Sequence, residues 1–164
     1  MNSPNRSAIE ARASHRFQIP AEHVFDAWLD PAKVRAWMAS ALKGFGLLGE
    51  TRRVEIDPQV GGRFCFSDLR GGMEAVHRGT YLELVRPSRI SFTWIVGESD
   101  PADAVADAPS KVTLTIEPEG SGCIATLVHE MDLKWAEYVS RTEQSWTRML
   151  QAIESLPDPL MPGN

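Results

Sequence analysis

Near the end of the chain Tyr138, Val139, Thr142, Trp146, Met149, Leu150, Ile153 and Leu156 recur at helical spacing, and Pro157 stops the run. This pattern predicts one long amphipathic helix over about residues 135–156. The stretch before it reads as a series of short strands, each with one apolar face that needs cover. Only the last helix is long enough to cover so broad a sheet. The constraint therefore selects an α+β domain, an antiparallel sheet wrapped around a C-terminal helix.

The strands are bounded by turn residues. Residues 11–19 alternate toward their end and predict a first strand. Pro20 opens a short helix over 21–29, with Val24, Phe25, Trp28 and Leu29 on one face. Asp30-Pro31 restarts the chain, since Asp is a good N-cap and Pro a good first helical residue. The second helix carries Val34, Trp37 and Met38 on one stripe, so the two short helices make a V. Strands follow at 51–56, 63–67, 73–84, 89–96, 111–117 and 123–131. Residues 68–72 read as a turn, 97–110 as an acidic loop, and 118–122 as a hairpin turn. Gly79 sits inside the longest strand, where it allows a bend or bulge.

With 164 residues the chain suits one domain, placed at 9–157 with flexible tails at 1–8 and 158–164. A net charge of −5 and only three lysines speak against nucleic acid, which requires clustered cations. No apolar run reaches the length of a signal core or a membrane span, which points to the cytoplasm. Cys65 and Cys123 lie in strand-like runs and read as buried, reduced thiols.

No complete catalytic site is legible. Gly44-Phe-Gly-Leu-Leu-Gly49 matches a dinucleotide fingerprint, but a helix precedes it and a strand follows. The flanks are in the wrong order for phosphate binding, and a loop over a cavity mouth suits it better. His15, His23, His77 and His129 have no recognised metal spacing, so neither metal nor cofactor is expected. His129 and Glu130 are adjacent in a strand and point to opposite faces, which makes them a poor acid–base pair. Glu74, Glu83 and Glu130 are candidate cavity carboxylates whose facing is open at this level. A carboxylate in an apolar pocket would have a raised pKa and could serve an enzyme.

Several segments together resemble a known family. They are Ile19-Pro-Ala-Glu-His-Val-Phe-Asp-Ala-Trp-Leu-Asp-Pro31 with Trp37, Asp57-Pro-Gln-Val-Gly-Gly-Arg-Phe64, and Arg78-Gly-Thr-Tyr-Leu-Glu-Leu84. The pattern continues in Pro87-Ser-Arg-Ile-Ser-Phe-Thr-Trp94, Lys111-Val-Thr-Leu-Thr-Ile116, His129-Glu130, and Trp146, Leu150 and Ile153. The chain resembles the activator of heat-shock-protein ATPase homologue 1-like group of the START/Bet v 1 (SRPBCC, helix-grip) superfamily. Cys123 stands where that pattern usually has Thr, and Ser145 where Gly is usual. The resemblance implies a hydrophobic cavity between helix and sheet, but not one activity.

The expected ligand is a small apolar or aromatic molecule. Its expected contacts are Trp37, Phe64, Phe66, His77, Tyr81, Phe92, Trp94, Leu114 and Trp146, with His77 or Tyr81 orienting a polar end. Two other readings follow from the resemblance or the residues. One is an interaction protein that stimulates a chaperone ATPase in a stress response, or pairs as a homodimer. The other is a cavity enzyme using acid–base chemistry. The eukaryotic activator carries a second domain for which this sequence has no room, which tells against the chaperone reading.

Overall fold

The computed structural model describes residues 8–44, 51–70, 72–97 and 110–154. Two segments expected to be loops, 45–50 and 98–109, lie outside the described residues, as do the expected tails apart from Ala8, which opens the first strand, and the end of the last helix with Leu156.

β1 (Ala8–Phe17) runs into α1 (Ala21–Ala27) through Pro20, whose extended backbone starts the helix. Asp30 caps α2 (Pro31–Gly44) as its position predicts: its carboxylate accepts from the backbone N–H of Ala32 at 2.9 Å and of Lys33 at 3.4 Å. Then come β2 (Thr51–Ile56), β3 (Arg63–Arg70), β4 (Met73–Val85), β5 (Arg89–Gly97), β6 (Ser110–Glu119) and β7 (Gly122–Asp132). A 3₁₀ turn over Leu133–Tyr138 leads into α3 (Val139–Glu154). The last helix thus starts later than its apolar spacing predicts, because the turn before it is wound more tightly.

The seven strands form one antiparallel sheet in the order β1-β7-β6-β5-β4-β3-β2. Alternation puts Phe64 and Phe66 of β3, Tyr81 of β4, Phe92 of β5, Val112, Leu114 and Ile116 of β6, and Cys123, Ala125 and Leu127 of β7 into one core. α3 closes that core with Trp146, Leu150, Ala152 and Ile153, while α1 and α2 add Val24, Phe25, Trp28, Val34 and Trp37. Among the described residues no helix is long and apolar enough to cross a membrane.

Polar contacts fasten the helices to the sheet. The Glu143 carboxylate of α3 accepts from the Arg12 backbone N–H at 2.8 Å, and Glu154 accepts from that of Gln18 at 3.3 Å. Glu154 also meets His15 Nε2 at 3.0 Å. Arg86, in the β4–β5 turn, donates twice to Asp26 of α1, at 3.0 and 2.9 Å. That guanidinium holds the Asp26 carboxyl below its ordinary range.

Two boundaries differ from expectation. β1 starts three residues before the expected 11, since its ladder with β7 is unbroken from Ala8 opposite Asp132 to Phe17 opposite Cys123. β3 does not turn at Asp68: its ladder with β4 continues to Arg70 opposite Met73, and the chain reverses beside Gly72, at φ +88°. The polar residues after Ser67 resemble a turn, but strand pairing wins because each has a partner on β4.

Gly79 is required by close approach. A Cβ there would lie 1.8 Å from the Thr93 carbonyl oxygen and 2.8 Å from the Phe64 ring. The β4–β5 ladder skips Gly79 and Thr80, and the Thr80 N–H donates instead to Thr93 Oγ1 at 2.9 Å. Gly79→Ala is predicted to cost about 2–3 kcal/mol, the scale of overpacking against a rigid neighbour. Urea unfolding checks this, and a cost below about 0.5 kcal/mol would show that the two strands separate freely.

Candidate ligand site on the concave face

The concave face has a deep part and a shallow part. In the deep part Trp28, Phe64, Phe66, Tyr81, Ile90 and Phe92 surround a void of about 10 Å³. That is the threshold for a single water, far below a benzene-sized ligand. The rings touch one another: Phe64 lies 5.0 Å from Phe66, 5.2 Å from Tyr81 and 5.3 Å from Phe92 between centroids. Among the described residues this part of the face therefore holds no open cavity. Bulky rings on three neighbouring strands fill the space that a curved sheet would otherwise leave.

Trp37 also belongs to the framework. Its Nε1–H donates to the Ala27 carbonyl at 2.8 Å and its ring packs 5.1 Å from Trp28, tying α2 to α1. Leu114 is fully buried in β6 and does not line the void. Trp28, absent from the expected set, does line it, and its buried Nε1–H has no acceptor among the described residues. Its place on the apolar stripe of α1 was legible; its reach to β5, 6.3 Å from Phe92, was not.

In the shallow part a row of rings crosses the sheet. His77 stacks on Trp94 at 5.2 Å, Trp94 meets Trp146 at 5.0 Å, and Trp146 meets His129 edge-on at 5.8 Å. His77 and Trp94 are only partly buried, whereas Trp146 and His129 are covered. The row brings together three of the expected residues, His77, Trp94 and Trp146, from β4, β5 and α3.

Sequence reading missed two polar neighbours. Asp68 is 1 % exposed, and the unbroken β3 register puts it on the same face as Phe64 and Phe66. It pairs with Ala75 while Phe66 pairs with His77, so Asp68 and His77 are diagonal neighbours on that face. The alternation Phe64, Phe66, Asp68 was the signal that the turn assignment obscured. Ser110 stands at the end of the expected acidic loop, yet it opens β6 opposite Trp94.

Ser110 and His129 sit in one hydrogen-bonded chain whose direction is fixed. Indole is only a donor, so Trp146 Nε1–H donates to His129 Nδ1 at 3.1 Å. The neutral ring must then carry its proton on Nε2, which donates to Ser110 Oγ at 2.7 Å. Ser110 in turn donates to the Trp94 carbonyl at 2.9 Å. A serine nucleophile needs the reverse arrangement, with the imidazole accepting its proton. The pair is therefore a structural relay. Burial lowers the His129 pKa to about 4, so the neutral relay persists at pH 7.

The remaining candidates face elsewhere. Glu74, Glu83 and Glu130 are exposed, which corrects their reading as cavity carboxylates. Glu74 accepts from Ser67 Oγ, and Glu83 pairs with Arg89 at 3.1 Å. His129 and Glu130 take opposite faces, one buried and one exposed, as adjacency requires. Burial raises the Tyr81 hydroxyl pKa and pushes the Cys123 thiol up to about 11, leaving both protonated at neutral pH. Both cysteines are free. Among the described residues no group of His, Cys, Asp or Glu is arranged to hold a metal ion.

A curved antiparallel sheet gripping one long C-terminal helix, with a V-shaped helix pair after the first strand, defines the helix-grip class. Within that class, the chain belongs to the family described as activator of Hsp90 ATPase homolog 1-like protein, whose model matches residues 18–157. No curated protein matches it in sequence. Among solved structures it is similar to protein CV1439 from Chromobacterium violaceum, at 24% identity and TM-score 0.70, covering 92% of this chain and 99% of that one. It is also similar to protein MLL2253 from Mesorhizobium loti, at 20% identity and TM-score 0.67, covering 89% and 94%. Protein Ms6760 from Mycobacterium smegmatis matches at 14% identity and TM-score 0.66, covering 94% and 93%. At these identities the likeness is one of fold.

The relay makes a pH prediction. His129 titrates near 4 in the folded chain and near 6.5 when unfolded, so protons bind the unfolded state preferentially below 6.5. Its neutral form costs nothing above pH 6.5, and stability is lost progressively as pH falls to about 4. The loss from this group approaches about 3 kcal/mol. Urea unfolding from pH 7 to 4 should show a steeper decline in the native chain than in His129→Gln. Parallel declines would mean that the imidazole is solvated. Trp146→Ala is predicted to cost about 3–5 kcal/mol, as for large aromatic truncations in cores, and a loss below about 1 kcal/mol would contradict its packing role.

Proposed function

We propose that the protein binds a small, largely apolar or aromatic molecule at the shallow end of the concave face, against Trp94 and His77. The observation that carries this is the row His77–Trp94–Trp146–His129. It combines two partly exposed rings with a buried, rigidly hydrogen-bonded wall. Small-molecule binding sites are mostly apolar, with a few placed polar groups that set orientation. Trp94 supplies a stacking face and Trp146 the wall on α3. His77 offers polar recognition at one edge. Phe64, Phe66, Tyr81 and Phe92 form the floor under this site, with Trp37 and Leu114 supporting the frame. The reading is of a binding protein: the Ser110–His129 pair points its protons the wrong way for nucleophilic catalysis.

The test is a thermal-shift screen of fatty acids, flavonoids, polyketides and sterols, joined to native mass spectrometry of freshly purified protein. A true ligand at about 100 times its Kd adds roughly 2.7 kcal/mol of stability. For a domain near this size that raises the midpoint by roughly 5–10 °C. Trp94→Leu should weaken binding of aromatic ligands, and His77→Ala should weaken ligands with a polar end more than purely apolar ones. If nothing in the screen stabilises the chain and no molecule is retained, the binding reading fails. Stimulation of a purified Hsp90-type ATPase would then put the activity named by the family description in its place.

A further inference from the structure

The two edges of the sheet are treated differently. At the β1 edge, the outward N–H groups of Arg12 and Gln18 are taken up by the Glu143 and Glu154 carboxylates. At the other edge, β2 pairs only with β3 among the described residues. The Asp57 N–H donates to the Arg63 carbonyl at 2.9 Å, which fixes the ladder's parity. Arg53 and Glu55, opposite Ser67 and Cys65, turn their backbone groups toward β3. Val54 and Ile56 therefore turn theirs outward, and both are only partly buried beside the core. An edge of this kind is a template for another strand.

We infer that β2 is a homodimerisation edge, pairing antiparallel with β2 of a second copy about a two-fold axis through Val54. A two-fold can lie at a residue whose backbone groups point outward or at one whose groups point toward β3, and centring on Arg53 or Glu55 would set that charge against itself. Centring on Ile56 would set Glu55 against Asp57 of the second copy, two like charges, and bring Pro58, which has no N–H, opposite Val54. Centring on Arg52 would set that arginine against itself. Centring on Val54 sets Arg53 opposite Glu55 of the second copy, twice by symmetry, and Val54 against itself. Arg53 and Glu55 are both exposed and on one face, they stand 4.0 Å apart within the chain, and Arg53 also donates to Cys65 Sγ at 3.5 Å, so a pair with the second copy would replace these weak exposed contacts. The charge pattern that would repel a shifted register thus favours this one, and isologous pairing is the ordinary route to a dimer. This inference is independent of the ligand reading.

Sedimentation equilibrium and native mass spectrometry of the full chain test it at micromolar concentration. The expected result is a dimer that Val54→Pro converts to monomer, with unchanged circular dichroism, because the lost N–H lies outside the β2–β3 ladder. Arg53→Glu and Glu55→Arg should each weaken the dimer at least tenfold, and the double exchange should restore it. Rescue by the double variant also guards against a fold defect in either single one. A monomer at 100 times the working concentration, or a dimer indifferent to Val54→Pro and to both charge variants, would overturn the inference.

Discussion

The indole N–H of Trp146 has only one thing it can do inside this protein, which is to donate. That single direction sets the tautomer of His129, the role of Ser110 and the tie to the Trp94 carbonyl. Four polar groups from α3, β7, β6 and β5 are satisfied in one line, through a core that would otherwise penalise each of them. The relay therefore does two jobs. It holds the long helix in one rotational setting against the sheet, which apolar contact alone leaves loosely specified. It also fixes the Trp94 backbone, from which the partly exposed indole projects.

Much of the architecture was legible because it follows from periodicity. The stripe from Val139 to Ile153, the alternation of Phe64 with Phe66, and Asp30-Pro31 each encode a local rule that the fold obeys. Legibility failed where long-range pairing overrode a local signal. Asp68 looks like the start of a turn, yet a partner on β4 keeps it in the strand and buries it. Ser110 looks like the end of a polar loop, yet His129, nineteen positions away, makes it part of the core. The site was half visible for the same reason. Aromatic residues can be placed on a face from sequence, but whether their rings leave a space or fill it depends on the curvature of the sheet and the rotamers of all of them together.

The sheet also shows how one architecture manages two unpaired edges. At β1 the solution is internal, since carboxylates on the covering helix occupy the strand's donors. At β2 the proposed solution is a second copy of the chain, with the strand's own charges favouring one register. The covering helix thus has a second task beyond burying the core, and its acidic positions Glu143 and Glu154 are tied to that task as firmly as its apolar ones are to packing.

The filled deep end of the concave face has a consequence for how such a protein diversifies. The rings of Phe64, Phe66 and Phe92 form a floor, while the groups that would recognise a ligand's chemistry in the proposed site stand at the rim, on His77 and Trp94. Depth and recognition therefore sit on different residues. Exchanging a floor ring for a smaller side chain would lengthen the accommodating space without disturbing the rim, and changing the rim would alter chemical preference at constant depth. On the proposed reading, single steps would shift the preferred ligand size while leaving the hydrogen-bonded frame intact.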